Sequence, residues 1–324
     1  EMEILAADLG VDGISAWGRL YDTIGGKLEF DMPDKDAEGG TRRVPMAQRR
    51  SFYEDPDQEI RTAALVNGNK AWRSMRDVTA ASLNAIAGTR LTLNRHRGIE
   101  DFLEVPLFQS AIERQTLESM WRTVAQRRET AWDYLRLKAQ TLGKPALGFE
   151  DLMCPLPQAG HERHDWDQAV GLVLKAFDGA YPPLADFCRE MLERNRVESE
   201  KRAGKRPGAF CTTSLKSRES RVFMSFGGGL GDIQTLAHEL GHAYHGHILR
   251  VKRPMAARYP MTLAETASTF AERLLQDAIL EDPNSRQATR LAVLTERCNN
   301  AATFMCDIRM RVLFETAFYT ERQE

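Results

Sequence analysis

The stretch from Thr235 to His247, TLAHELGHAYHGH, limits the possible folds more than any other part of the chain. On a helix that starts near Asp232, apolar residues recur three and four positions apart, and this stripe is expected to be buried against the rest of the domain. The stripe consists of Ile233, Leu236, Ala237, Leu240, Tyr244 and Ile248. His238 and His242 lie on another face, one turn apart, which is the spacing at which two imidazoles can bind one ion. The fold must therefore bury the apolar stripe of this helix and bring a further metal ligand to the face that carries His238 and His242.

Glu239 completes an HExxH pattern with the two histidines. A glutamate next to a metal ligand can take a proton from a bound water, so Glu239 is the candidate catalytic base. Gly241 lies inside the same pattern, where a glycine costs about 1 kcal/mol relative to alanine. We therefore expect a neighbouring backbone to approach the helix closely at Gly241.

The third ligand is expected from the next predicted helix, in YPMTLAETASTFAERLLQDAIL. Its predicted buried stripe consists of Ala264, Ala267, Phe270, Ala271, Leu274 and Ala278, and its polar face of Glu265, Ser268, Thr269 and Glu272. Glu265 follows His242 by 23 positions, which allows a helix, a turn and a return to the ion. The competing interpretation is a capping box from Thr262 to Glu265. Ligation is preferred because the HExxH helix still lacks a third ligand.

Three further residues are candidates for supporting roles around the ion. Ser268 or Glu272 could hydrogen-bond a metal-bound imidazole and fix its tautomer, although both also fit the ordinary surface of a helix. His245 lies about 10 Å of helix rise from His238, too far for easy sharing of one ion. It is predicted to support the site or to be a buried histidine, and His247 is given no role.

The rest of the chain is predicted to be helical, apart from GAFCTTSLKSRESRVFMSFGGG. Two runs rich in Phe, Thr, Val and Ser flank a polar turn there and predict an antiparallel hairpin. Asp232 is placed to cap the following helix. An exposed edge along residues 221–226 could pair with an extended peptide, or the hairpin could simply cover the core. Candidate peptide-binding residues are Gly208, Ala209, Phe210, Phe223, Met224 and Ser225.

Composition excludes several partners and sites. The formal net charge of -2 gives no field that would recruit nucleic acid or an anionic membrane. The five cysteines form no CxxC pair, so neither a disulfide framework nor a cysteine zinc site is indicated. The cluster FGGGLGD lacks the Lys and Ser/Thr of a P-loop. With no long apolar run and no secretion signal, the sequence predicts a soluble, cytoplasmic protein of unknown oligomeric state.

LAHELGHAYHGHI, followed by LAETASTFAE and preceded by GKRPGAFCTT and RVFMSF, resembles the oligoendopeptidase F branch of the thimet oligopeptidase family of zinc metallopeptidases. SLNAIAGTRLTLNRHRG and LGFEDLMCPLP also resemble that branch, so the likeness covers nearly the whole chain. The resemblance implies a mainly α, helical zincin-like metallopeptidase with a small antiparallel hairpin beside the active-site helix. It also implies one Zn²⁺ per chain on His238, His242 and Glu265, with Glu239 as catalytic base.

Family members are longer and carry a later segment with a histidine and tyrosines that contact the substrate carbonyl. Nothing in this chain matches that segment, so the chain is expected to be truncated at both ends. Within one continuous domain, residues 1–207 are predicted to form a helical scaffold and residues 208–324 the zinc-binding catalytic region.

The predicted function is zinc-dependent hydrolysis of short unfolded oligopeptides, with water as the nucleophile and a glutamate as the base. Two other classes stay open at this point. A truncated chain could bind metal and peptides without cleaving them, and a purely structural helical protein would carry the histidines in its core. Stoichiometric metal separates the second alternative from the other two.

Overall fold

The structure of the protein, a computed structural model, describes residues 1–159, 162–200 and 208–323. The described residues form two compact units. The first comprises Glu1–Phe108, Ile112–Pro157 and Cys298–Glu324, and the second comprises Gln109–Ala111 and Gln158–Arg297. The predicted division between residues 207 and 208 borders residues 201–207, which lie outside the described part of the chain, and it stays a prediction.

Helices dominate the chain, as the sequence predicts. Those up to residue 141 are α1 (Met2–Asp12), α2 (Ile14–Lys27), α3 (Arg49–Phe52), α4 (Gln58–Ser74), α5 (Arg76–His96), α6 (Glu104–Ser110), α7 (Arg114–Gln126) and α8 (Arg128–Thr141). Those that follow are α9 (Trp166–Ala180), α10 (Pro182–Glu193), α11 (Leu230–Leu249), α12 (Met261–Ala264), α13 (Thr266–Glu281), α14 (Gln287–Ala302) and α15 (Arg309–Gln323). A π-helical segment, Thr303–Ile308, links the last two. None of the helices in the described ranges combines the length and apolar character needed to cross a lipid bilayer.

The first unit contains a two-stranded antiparallel sheet of β1 (Glu29–Pro33) and β2 (Thr41–Pro45). Phe30 and Val44 face each other across it, and both are buried. A buried carboxylate stabilises a loop of the same unit: Asp151 accepts hydrogen bonds from Arg61 at 2.9 Å and from Lys144 at 2.5 Å. Burial alone would raise the pKa of Asp151, but the bonds from Lys144 and Arg61 outweigh it and hold that pKa below its ordinary value.

The second unit is built around α11, which packs on α9, α10, α13 and a three-stranded sheet. The sheet order is β3 (Val197–Glu198), β5 (Glu219–Phe223) and β4 (Phe210–Ser214). Strands β4 and β5 form the predicted antiparallel hairpin, with Cys211 opposite Val222. The hydrophobic core of the second unit includes Val173, Phe177, Met191, Val222, Met224, Ile233, Leu240 and Leu275.

The exposed edge predicted along residues 221–226 is wrong. Strand β3 pairs in parallel with β5 there, and the Met224 N–H donates to the Glu198 carbonyl at 2.9 Å. β5 is therefore the central strand, and Met224 is also fully buried. Among the described residues the sheet has two edge strands, β3 with two residues and β4 with five, so β4 offers an added extended peptide the longer edge.

Helix α11 begins at Leu230, two residues before the predicted start. Asp232 therefore caps the helix from inside its first turn: its carboxylate accepts the N–H of Gly227 at 2.9 Å and of Gly229 at 3.1 Å. The predicted stripe is buried from Ile233 to Leu240, but Tyr244 is half-buried and Ile248 is 49% exposed. The last turn of the helix extends past the core.

The predicted faces of α13 are partly wrong. Phe270 was placed in the buried stripe but is 57% exposed, whereas Ser268 on the polar face is fully buried. The polar face packs towards α11 because the residues of the candidate metal centre lie between the two helices. Amphipathic periodicity assigns a polar face to solvent, and here that face is partly internal.

Candidate metal centre

Three side-chain atoms converge at one end of the contact between α11 and α13. His238 Nε2 lies 3.1 Å from His242 Nε2, and each of these atoms lies 3.2 Å from Glu265 Oε2. The three residues form a group of potential metal ligands within the described part of the chain. The structure thus brings together the three residues that the sequence predicts as ligands.

The triangle fits a small tetrahedral ion. Metal–ligand bonds of about 2.0–2.1 Å at tetrahedral angles separate neighbouring ligand atoms by about 3.3 Å. The observed separations of 3.1 and 3.2 Å are close to that value. Two imidazoles and one carboxylate also match the ligand types of catalytic zinc sites, which keep a fourth position open.

Glu265 reaches the triangle because the chain breaks its helix there. It lies between α12 and α13 with φ -90° and ψ 2°, outside both helices. The Ser268 hydroxyl donates to Glu265 Oε2 at 2.7 Å, and the Thr269 hydroxyl donates to the Glu265 carbonyl at 2.6 Å. Ser268 thus orients the carboxylate, not an imidazole. The competing capping box is not formed: α12 follows Pro260 without a side-chain cap, and the Thr262 hydroxyl donates to the Ser110 carbonyl.

The other candidate supporting residue, Glu272, contacts an imidazole. His238 Nδ1 lies 2.5 Å from Glu272 Oε1, so Nδ1 carries the proton and Nε2 directs a lone pair at the triangle. Burial alone would lower the pKa of His238, but the Glu272 hydrogen bond and the nearby carboxylates raise it above its ordinary value. This is the arrangement in which a carboxylate fixes the tautomer of a metal-binding histidine.

Glu239 is only 5% exposed, and its Oε2 has no hydrogen-bond partner among the described residues. Burial raises the pKa of Glu239; the nearby His238 opposes this shift, and Glu265 adds to it. A buried carboxylate oxygen without a protein partner is costly unless a water, an ion or a substrate makes use of it. Its position beside the ligands suits a group that exchanges a proton with a water or substrate.

Cys211 on strand β4 is near this carboxylate, but its thiol is not a nucleophile. Burial, with a contribution from Glu239, raises the pKa of Cys211 to about 12. A thiol that stays protonated at neutral pH is unreactive.

The close approach predicted at Gly241 is present. A Cβ at this position would lie 2.7 Å from the Ala267 carbonyl oxygen, 2.8 Å from Ser268 Cα and 2.9 Å from Ala271 Cβ. The missing side chain lets α13 lie directly on α11, close to both histidine ligands. Gly241 thereby contributes to bringing Glu265 within reach of the imidazoles.

Substituting Gly241 by alanine should push the two helices apart. We expect Gly241→Ala to lower the free energy of unfolding by about 1–3 kcal/mol through overpacking, despite the better helix propensity of alanine, and to weaken zinc binding. Urea unfolding and zinc titration against a chromophoric chelator measure the two effects. Gly231→Ala is the matched control in the same helix, because a Cβ there meets no atom within 4 Å. Equal stability and zinc affinity in both variants would contradict the packing role of Gly241.

His245 takes no part in the triangle. Its Nδ1 is buried without a hydrogen-bond partner among the described residues. Its ring stacks on Tyr259, with centroids 4.3 Å apart and planes at 22°. Sequence reasoning missed Tyr259, although an aromatic residue followed by proline just before the predicted ligand helix was a usable signal.

The other candidate peptide-binding residues lie on and around the hairpin. Gly208 precedes β4 with φ +92°, a conformation that favours glycine, so a turn accounts for it without a ligand. Phe210 and Phe223 stack across the two strands with ring centroids 5.0 Å apart. Ala209 and Ser225 are half-buried. A peptide-binding role for these residues stays a prediction.

The amino-acid sequence matches peptidase family M3 over residues 180–324. Oligopeptidase PepF of Bacillus subtilis is 22% identical over 291 residues, which cover 90% of this chain and 43% of PepF. The chain is similar to the oligoendopeptidases F. The resemblance seen in the motifs is therefore confirmed, and the chain spans less than half the length of PepF.

Solved structures show that the fold is also shared with the oligoendopeptidases F. Oligoendopeptidase-F from Enterococcus faecium superposes with a TM-score of 0.64 at 18% identity, over 97% of this chain and 49% of that one. PZ peptidase A, solved with an inhibitor, gives a TM-score of 0.72 at 18% identity, over 89% of this chain and 50% of that one. The mainly helical fold class is thus confirmed. In this oligoendopeptidase F-like chain, the matched region 180–324 includes all three candidate ligands.

Proposed function

We propose that this chain is a zinc-dependent endopeptidase that hydrolyses short unfolded oligopeptides. The observation that carries the proposal is the ligand triangle of His238, His242 and Glu265 next to the buried Glu239, whose Oε2 has no partner among the described residues. Relatives named as oligopeptidase or oligoendopeptidase support the peptide substrate class.

His238, His242 and Glu265 would hold one zinc ion per chain. Three protein ligands leave a position for water or substrate, as in a catalytic site, whereas structural zinc usually has four protein ligands. When bound, zinc polarises the scissile carbonyl and lowers the pKa of water. Glu272 holds His238 in the tautomer that binds metal, and Ser268 holds the Glu265 carboxylate.

Glu239 is the general base of the proposed reaction. Its free oxygen accepts a proton from the attacking water and then delivers that proton to the amide nitrogen of the leaving peptide. The burial that raises the pKa of Glu239 above its ordinary value also suits this second step, because it favours the protonated carboxyl that donates the proton.

The edge of strand β4 is the proposed binding surface for the substrate backbone. An extended peptide can add to a sheet edge through main-chain hydrogen bonds, which gives binding with little dependence on sequence. Phe210 begins this edge strand and Ala209 precedes it, and Cys211 follows Phe210 close to Glu239. Phe210, which is exposed and stacked on Phe223, offers an apolar contact to a substrate side chain.

Metal removal tests the proposed function. The zinc-loaded chain is incubated with a mixed library of short peptides and the products are read by mass spectrometry. We expect internal cleavage that stops when zinc is removed with a chelator and returns when stoichiometric zinc is added back, because the three ligands supply the metal that activates the reaction. Cleavage that persists in the metal-free chain would contradict the proposal, as would a fully zinc-loaded chain that cleaves no peptide.

A further inference from the structure

The connection between α11 and α12 contacts α11, the helix that carries His238 and His242, through an aromatic stack. Tyr259 stacks face to face on His245, which lies one turn beyond the ligand His242. His245 Nδ1 makes no hydrogen bond within the described ranges, and the face of the ring contacts Tyr259. The stack joins the first ligand helix to the segment that leads to the third ligand.

That segment is short and stiff. Pro260 follows Tyr259 with φ -71° and ψ 159°, and its carbonyl accepts the N–H of Leu263 at 2.9 Å. The four residues of α12 then lead directly to Glu265. Because proline fixes its own φ and one helical turn follows it, a displacement of Tyr259 is transmitted to Glu265 with little to absorb it.

A second contact, a single hydrogen bond, also fixes this segment but does not restrict its orientation. The Thr262 hydroxyl donates to the Ser110 carbonyl at 2.7 Å. One hydrogen bond fixes a point, whereas a stacked ring pair also restricts orientation. The Glu265 side chain is 60% exposed, so core packing by itself does little to hold the carboxylate at the triangle.

We propose that Tyr259 is a positioning residue, whose ring stacked on His245 holds the segment that presents Glu265 to the two histidines. This inference rests on the proposed zinc site and adds a residue outside the triangle of candidate ligands. The role belongs to the aromatic ring and not to the phenol hydroxyl.

The experiment measures zinc affinity by chelator competition for a set of matched variants. We expect Tyr259→Ala to weaken zinc binding by about tenfold, at the lower end of the range for residues that orient metal ligands. Tyr259→Phe should stay within about twofold of the parent, since it keeps the ring. His245→Ala should lose about as much as Tyr259→Ala, and the double variant should lose no more than either, because both remove one contact.

Tyr181→Ala is the control. Tyr181 is 44% exposed and Tyr259 is 41% exposed. Tyr181 packs edge to face on Tyr244 of α11, the helix that also carries His245, with ring centroids 5.9 Å apart. It lies outside the segment that leads to Glu265, so the zinc affinity of this variant should equal that of the parent. Circular dichroism of each variant reports whether the helical fold is retained.

The outcomes separate this inference from the proposed function. Unchanged zinc affinity in Tyr259→Ala, with tight binding in the parent, overturns the positioning role and leaves the metal site intact. A loss in Tyr259→Phe as large as in Tyr259→Ala also overturns it, since the hydroxyl would then be responsible. A parent chain that binds no zinc overturns the metal site and this inference together.

Discussion

Glu239→Gln should reduce the rate of peptide hydrolysis by about a hundred- to ten-thousandfold while zinc stays bound. Glutamine keeps the size of the side chain but cannot accept the water proton, and Glu239 is not one of the three converging ligands. Its Oε2 has no hydrogen-bond partner in the described part of the chain, which leaves this oxygen available for the proposed proton transfer. Steady-state cleavage of a quenched fluorescent peptide and zinc analysis of the same samples measure both quantities.

Glu281→Gln is the control for this substitution. Glu281 is exposed at the end of α13, away from the ligand triangle, so the variant should cleave peptides at the parental rate. Two results would contradict the role of Glu239: full activity in Glu239→Gln, or loss of zinc from that variant.

His242→Ala should abolish stoichiometric zinc binding, and with it peptide cleavage. If a zinc-binding free energy of about 10–16 kcal/mol is shared among the three protein ligands, each supplies roughly 3–5 kcal/mol, so losing one weakens binding by roughly a hundredfold to ten-thousandfold. His242 Nε2 lies 3.2 Å from Glu265 Oε2 in the triangle, and without it the remaining two ligands cannot enclose the ion. Zinc per chain, measured by plasma mass spectrometry after dialysis, checks this.

His247→Ala is the matched histidine in the same helix. His247 packs at a tilt against Phe187, stacks on Tyr244 and takes no part in the triangle, so this variant should retain the full zinc content of the parent. Parental zinc content in His242→Ala, or equal losses in the two variants, would contradict the assignment of His242 as a ligand.

Helical periodicity and the HExxH spacing predict much of the second unit. Positions 238 and 242 were predictable because metal binding restricts both residue type and helical spacing, and position 265 because an HExxH helix needs a third ligand from another segment. The close packing at position 241 was predictable because a glycine in the middle of a helix lowers its stability and is typical of a close backbone approach. The hairpin was predictable from alternation and turn residues. Ligand spacing, a glycine in a helix and strand alternation can each be recognised from a few residues that are neighbours in the sequence.

The errors arose where the outcome depends on distant segments. Strand β3 has only two residues, Val197 and Glu198, too few to show a period, yet it occupies the edge of β5. Phe270 fits an apolar stripe, but α13 is turned so that Ser268 and Glu272 face the ligands. Tyr259 gains its significance only from His245, and a stacking contact between a loop and a helix leaves no periodic trace.

X-ray absorption at the zinc edge of the zinc-loaded chain tests the central claim most directly, because it reports the atoms bound to the ion. The triangle predicts only nitrogen and oxygen ligands at about 2.0–2.1 Å, with the outer-shell signal of two imidazoles. A sulfur ligand at about 2.3 Å would contradict it, because the metal would then be bound by a cysteine such as Cys211 and not by His238, His242 and Glu265.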